Sequence, residues 1–172
     1  MRHQIKHLLI TSVLIFFVTT GTHALGAGVQ VSGIPELLLN QKYINYDKLT
    51  TNISGTFKME RIPFTVGSGI EIGNFLSDLD YGFSLFSDFR AIDFQLVNTC
   101  SIYSGIGASV KFLTTDFRNW FIAAGARCFA GVSLLFYDGY LEFYAQQNVV
   151  PTYMKNTFIM CLPFETGMRM HF

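Results

Sequence analysis

The carboxy-terminal stretch constrains the fold more than any other part of this chain. Counting back in twos from Phe172 gives Met170, Met168, Thr166, Phe164, Leu162, Met160 and Phe158. Between them lie His171, Arg169, Gly167 and Glu165, with Cys161 and Ile159 further up. Side chains on a strand point alternately to its two faces, so this is period-two patterning and not a helical stripe. A half-buried strand in a soluble domain usually runs about four to eight residues, whereas this alternation holds from Phe158 to the end. A strand of that length with one largely apolar face reads as a membrane crossing with that face in lipid.

The amino-terminal segment fits the same compartment. Arg2, His3, Lys6 and His7 make a basic start, and Leu8 to Val18 is apolar apart from Thr11 and Ser12. Thr22-His23-Ala24 follows as a small-x-small cleavage sequence. This is the three-part layout of a secretory signal peptide, and its apolar core is short for a spanning anchor. No cysteine lies near position 25, so a lipoprotein signal is not expected. Residues 1–24 are expected to be a cleaved signal peptide and residues 25–172 a single barrel domain.

Composition separates two kinds of membrane protein. Half the residues are hydrophobic, 18 are Phe and only 14% are charged. Yet beyond the signal no run of about eighteen apolar residues exists, so helical spans are excluded. A backbone in hydrocarbon must satisfy its own hydrogen bonds, which leaves a closed barrel. The competing fold is a secreted sandwich or lipocalin-like barrel. That fold keeps its polar face outward and has no use for so many alternating apolar positions.

Charge and cysteine exclude more than they assign. The chain has 12 Lys and Arg against 12 acids, and the signal holds Arg2 and Lys6 but no acid. The remainder is therefore about −2, which makes no electrostatic case for nucleic acid. Cys100, Cys128 and Cys161 are odd in number and widely spaced, giving neither a disulfide framework nor a metal motif.

Alternation and turn signals divide the rest into strands at about 26–34, 52–60, 64–73, 81–97, 101–112, 119–137, 140–147 and 156–172. The fourth strand changes parity near Asp88 to Ala91: Phe83 and Leu85 are odd, while Ile92, Phe94 and Leu96 are even. One extra residue does this, so a β-bulge belongs there. Asp138-Gly139 is a two-residue hairpin signal. Connections at 61–63, 98–100 and 138–139 are short; those at 35–51, 74–80, 113–118 and 148–155 are longer. An even strand count with short turns on one side and longer loops on the other is the rule for outer-membrane barrels. The fold expected is all-β, an eight-stranded antiparallel up-and-down transmembrane barrel. A ten-stranded reading, splitting the fourth or sixth strand, stays open.

The tail pattern polar-x-Gly-x-x-apolar-x-aromatic is met by Glu165, Gly167, Met170 and Phe172. It resembles the signal read by the machinery that inserts outer-membrane barrels. Over residues 25–172 the chain resembles the small outer-membrane barrels of the OmpA transmembrane-domain, OmpX and OmpW type. Tyr103-Ser104-Gly105-Ile106-Gly107-Ala108, Gly125-Ala126-Arg127, Leu141-Glu142-Phe143-Tyr144 and Glu165-Thr166-Gly167-Met168-Arg169 also look like small spirochaetal barrels. The resemblance implies fold, outer-membrane location and assembly partner. It does not imply one activity, because this fold hosts several.

With the apolar parity in lipid, the bore receives Lys58, Glu60, Glu71, Asp93, Gln95, Lys111, Arg127, Glu142, Glu165, Arg169 and His171. An eight-stranded barrel has room for little more than its own side chains, and unpaired buried charge is costly. Two readings stay open: an ionic network that closes the bore, or a narrow conduit for small apolar or ionic solutes. Gly105, Gly107, Gly125 and Gly131 share the inward parity; they are expected either to make room for Arg127 and neighbouring long side chains or to line a small cavity.

An enzyme is not expected. After signal removal His171 is the only histidine, one residue from the terminus at the predicted periplasmic edge. Barrel acyltransferases, lipid A deacylases and omptin-like proteases depend on a histidine near the outer surface. A Ser/His/Asp arrangement is therefore geometrically unsupported. No cofactor and no metal ligand set is indicated. The function expected is structural or surface interaction through the outer loops, with the lipid bilayer, the barrel assembly machinery and host or extracellular ligands as partners of a monomer. Lys42, Tyr43, Tyr46 and Tyr153 are the candidate contacts, although tyrosines there equally suit an interfacial aromatic belt.

Overall fold

The computed structural model describes residues 25–38, 49–59, 62–74, 79–114, 116–154 and 157–172. The alternation read from the sequence becomes strand throughout: β1 (Leu25–Leu38), β2 (Leu49–Met59), β3 (Phe64–Asn74), β4 (Leu79–Val97), β5 (Cys100–Thr114), β6 (Trp120–Phe136), β7 (Leu141–Met154), β8 (Thr157–Cys161) and β9 (Phe164–His171). Every pairing is antiparallel with sequence neighbours side by side, from β2 through β7. The sheet closes because β1 pairs with β2 on one edge and with β8 and β9 on the other. Leu25 and Phe172 seal the seam by exchanging backbone bonds of 3.2 and 3.1 Å.

Nine segments make eight staves. β8 and β9 are one stave interrupted at Leu162 and Pro163. Their register against β7 is continuous: Gln147 faces Phe164 and Val150 faces Cys161, with two residues between on each strand. Proline has no N–H to give the ladder. Its carbonyl is still used, accepting from the Asn148 backbone N at 2.8 Å and from Gln147 Nε2 at 3.2 Å. The ten-stranded reading fails because β4 and β6 run unbroken for 19 and 17 residues.

The bulge falls where parity placed it, between Arg90 and Ile92, and a second irregularity follows at Gln95/Val97. β3 stops pairing at Phe64 opposite Phe89. Among the described residues, 91–97 of β4 therefore pair with β5 alone and form an open edge at one end of the barrel.

Three expectations about connections need correction. Asp138-Gly139 does not make a two-residue hairpin: the last pair is Phe136 with Leu141, so four residues turn the chain. Tyr137 and Asp138 take φ of 52° and 55°, and Gly139 takes 93°; the loop needs three left-handed residues in a row. Residues 148–154, expected in a loop, are strand, because β7 runs to Met154 and β8 begins at Thr157. The expected asymmetry of connection length thus reduces to the segment 39–48.

The barrel is apolar outside and polar inside. Val29, Ile53, Ile70, Phe83, Ile122 and Phe143 are exposed on the outer wall, while Gln30, Asn52, Thr56, Glu142 and Arg169 are buried in the bore. A soluble domain shows the opposite. Two ends can be distinguished: the turn end carries Leu25, Phe172 and the connections 98–99 and 137–140; at the other, the loop end, β1 stops at Leu38, β2 starts at Leu49, and the turn 116–119 leads into β6.

Candidate functional site

The bore is the site that strand parity constructs, and its contents change along its length. At the turn end the organising group is Glu142, on β7, with no exposed surface. Its carboxylate accepts from Lys58 Nζ of β2 at 3.2 Å, Arg90 Nη2 of β4 at 2.9 Å and Arg169 Nη1 of β9 at 3.4 Å. His171 Nε2 stands 3.1 Å away. Four cationic or imidazole groups from three strands converge on one acid.

Next come two stacked pairs. The Arg90 guanidinium lies 3.7 Å from the Tyr103 ring centre, and that of Arg169 lies 3.8 Å from Tyr144. The tyrosine hydroxyls donate onward, Tyr103 to Gln146 at 3.0 Å and Tyr144 to Gln30 at 2.8 Å. Aromatic faces favour guanidinium cations, so these rings hold the arginines in the plane that reaches Glu142.

The middle of the bore belongs to Arg127 on β6. Its Nε and Nη2 fork onto Asp88 at 2.8 and 3.0 Å, and Nη2 also reaches Glu165 at 2.9 Å. Gln146 Nε2 donates to the same Glu165 at 2.7 Å. A fork on a carboxylate is among the stronger charge-assisted geometries. Gly107 permits it: a Cβ there would collide with Asp88 Oδ1 and the Ser87 carbonyl. Gly67 likewise leaves space for the Phe86 ring that lies under Arg127. Towards the loop end Lys111 Nζ meets Glu71 at 2.9 Å, and Asn52 bridges Glu71 and Ser84. The cavity in this region measures about 20 Å³.

Beyond it the interior turns apolar. Leu113, Ala123, Val150, Met154, Ile159 and Cys161 are buried together. The inward positions named from the sequence were charged, polar or glycine, so this apolar collar adds to that reading. Ile159 and Cys161 on the inward parity of the tail were its sequence signal.

The sequence-predicted residues are distributed as follows. Lys58, Arg169 and Glu142 share the turn-end cluster; Arg127 and Glu165 share the middle; Glu71 and Lys111 pair below the apolar collar. Asp93 is not enclosed: it sits on the open β4 edge, its side chain 48% exposed and 3.5 Å from Arg90. Gln95 is also exposed and bonds the Asn98 carbonyl. Tyr153 belongs to β7 and stands on the outer wall, not in a loop. Of the tail residues, Glu165 faces the bore, while Met170 and Phe172 face outward. Glu60, Lys42, Tyr43, Tyr46 and residues 1–24 lie outside the described residues. Asp88, Arg90, Tyr144, Gln146 and Asn148 join the network without having been singled out. Asp88 and Arg90 share the inward parity of Ser84 and Phe86 before the bulge, which was the signal that could have found them.

At the loop end, residues 116–119 form a built turn. Asp116 Oδ1 accepts from the backbone N–H of Asn119 at 2.9 Å and of Arg118 at 3.0 Å. These two bonds hold its carboxyl below the usual aspartate range. Phe117, at φ 58°, stacks on Tyr81 with centroids 5.3 Å apart. Trp120 and Tyr153 are exposed nearby on neighbouring strands. Cys100, Cys128 and Cys161 are all free thiols.

No protein-family model matches the chain, and no curated protein matches it in sequence. Solved structures do. Neisserial surface protein A (NspA) superposes with a TM-score of 0.59 at 12% identity, covering 87% of this chain and 99% of its own. Ail, the attachment invasion locus protein of Yersinia pestis, gives 0.51 at 9% identity with the same coverage. Both are small eight-stranded outer-membrane barrels. At such identity the likeness is one of fold: this chain is a closed eight-stranded antiparallel barrel of that type.

Proposed function

We propose that this chain is an integral outer-membrane barrel with a closed bore and a structural or surface-interaction role exercised at its loop end. The observation that carries the reading is the filling of the bore. Glu142, Arg127 and Lys111 each anchor a bonded layer, the mid-bore cavity holds about 20 Å³, and the apolar collar follows. In this reading the described residues leave ions no continuous wet path, and what the protein offers its surroundings is its ends. The apolar outer wall places it in a bilayer. The names of its neighbours, a surface protein and an attachment invasion locus protein, favour the surface role.

In this reading residues 1–24 direct export and are removed. The tail Glu165, Gly167, Met170 and Phe172 addresses the chain to the barrel assembly machinery, and the product is a monomer without cofactor. The contact surface for host or extracellular ligands comprises Lys42, Tyr43 and Tyr46 together with the 116–119 turn. The protein is not an enzyme: its one histidine beyond the signal is bound to Glu142 at the far end from the loops. Planar-bilayer recording of pure refolded protein tests the closed bore. Silence is expected; steady unitary channels would establish the conduit reading instead. Protease treatment of intact cells tests the surface role, since a 39–48 segment that resists cleavage overturns its exposure.

A further inference from the structure

The turn end of the barrel closes unevenly. β2 and β3 stop level, Met59 opposite Phe64, and β3 meets β4 for the last time at Phe89. One further bond follows, from the Arg90 backbone N–H to the Pro63 carbonyl at 2.7 Å. β4 then continues to Val97 with β5 on one side and, among the described residues, no strand on the other. Every second residue of a strand turns its N–H and C=O to the same side, so this edge carries a row of unpaired backbone groups. Its side chains are open on both faces. Ile92, Phe94 and Leu96 are 63%, 63% and 51% exposed, and Asp93 and Gln95 are exposed on the opposite face.

A bare edge of this kind is costly at any depth. Inside the hydrocarbon its backbone groups find no partner. Outside it, three large apolar side chains in a row stand in water. An added strand removes both costs, because it pairs the backbone and carries the apolar wall one stave further. Pro63 bounds the place at one end and the 98–99 connection at the other, so the length that fits is that of 91–97. The irregularities at Arg90/Ile92 and Gln95/Val97 leave Ile92 to Gln95 in regular register between them.

This chain does not supply the strand. The connection from Met59 to Ile62 has two residues between; they span at most about 7 Å, against an edge of about 20 Å. A second barrel inserted the same way does not fit either. Strands tilt about 35–45° from the membrane normal, so rotation about that normal lays one copy's edge across the other's. Charge then selects among foreign strands. Asp93 meets Arg90 at 3.5 Å, but that guanidinium is held by Glu142 at 2.9 Å. With 48% of its side chain exposed, Asp93 favours a basic residue opposite it and repels an acid.

We infer that residues 91–97 of β4 dock a short extended segment of another polypeptide, apolar at alternate positions and basic between them, which adds to the sheet beside β4. The edge is at the turn end, apart from the loop-end surface, and stands whether or not that surface has a ligand.

The test uses the barrel isolated from outer membranes in a non-ionic detergent. Three peptides matched in length to 91–97 are the probes. One alternates valine with lysine, one alternates valine with glutamate, and one carries the valines and lysines of the first in two blocks. Amide exchange is read along β4. The alternating lysine peptide is expected to slow exchange across 91–97 in a saturable manner and to leave 83–89 unchanged. The glutamate peptide binds about two- to fivefold more weakly, the scale of a cross-strand charge pair, and Asp93→Asn abolishes that preference. The blocked peptide has no effect. No slowing by the alternating lysine peptide, or equal slowing by the blocked one, overturns the docking edge. Equal affinity for the lysine and glutamate peptides overturns the basic partner. Slow exchange before any peptide is added, with two chains in each particle, makes a second copy the occupant and overturns the inference.

Discussion

Glu142 shows how much one residue can organise when its surroundings are closed. It gathers Lys58, Arg90, Arg169 and His171 from strands that are distant in sequence. Removing the charge leaves three buried cations without their shared acceptor, the situation in which buried pairs cost most to break. Glu142→Gln is expected to destabilise the barrel by about 3–5 kcal/mol, read as a lower urea midpoint for the folded protein in detergent. A loss within the ordinary range of surface changes, about 0.5 kcal/mol, would show that the cluster relaxes around the amide. Asp116 is the opposite case, a fully solvent-exposed acid whose value is local. Its carboxyl lies below the ordinary 3.8 in the folded turn, chiefly through the Asn119 and Arg118 amides. A depressed folded value stabilises above the unfolded value and is lost as pH falls through the folded one. The amide resonances of Arg118 and Asn119 should thus shift together as the carboxyl protonates, with a midpoint below pH 3.8. A midpoint at or above 3.8 means that the turn does not bind the carboxylate.

At the scale of elements, β4 is the exception among the staves. Up to Phe89 it is flanked by β3 and β5; from residue 91 it has β5 alone. Ile92, Phe94 and Leu96 continue its apolar outer face into this open edge. Natural proteins blunt such edges with bulges and short lengths, and two irregularities fall here. Backbone amides on an open edge exchange through local fluctuation, while those of a closed ladder need larger opening. Hydrogen exchange should therefore be faster across 91–97 than across 83–89 of the same strand. Equal protection would mean that another chain covers the edge. The interruption at Pro163 has no such consequence, because Gln147 and Asn148 take up its carbonyl and the register passes through unchanged.

For the whole molecule, stability comes from closure. Every stave has two neighbours over most of its length, and the seam is β1 against β8 and β9. Breaking the seam exposes backbone groups that a bilayer or micelle cannot satisfy, so unfolding should be cooperative and strongly resisted. Unheated samples in dodecyl sulfate are expected to migrate apart from boiled ones on a gel. Coincident bands in both states would mean that the barrel does not survive the detergent. Deleting the tail pattern residue Phe172 tests a different property, assembly, and should lower the amount of heat-modifiable protein in outer membranes without changing its migration.

The sequence by itself determined the staves and their faces. Alternation is a local property of a strand, so Phe158 to Phe172 declared its two faces without help from any neighbour. The bulge near Asp88 to Ala91 was legible for the same reason, as a change of parity within one strand. What the pattern could not contain is which inward groups meet. Glu142 and Lys58 stand 84 residues apart, and Arg127 and Asp88 stand 39 apart; the register of several strands and the tilt of the staves decide that they touch. Tertiary structure also decided that Asp93 lies on an open edge, that β7 carries Tyr153 on its wall, and that an apolar collar ends the polar bore. Each depends on how far one stave extends beyond the next, and that is fixed only when the sheet closes on itself.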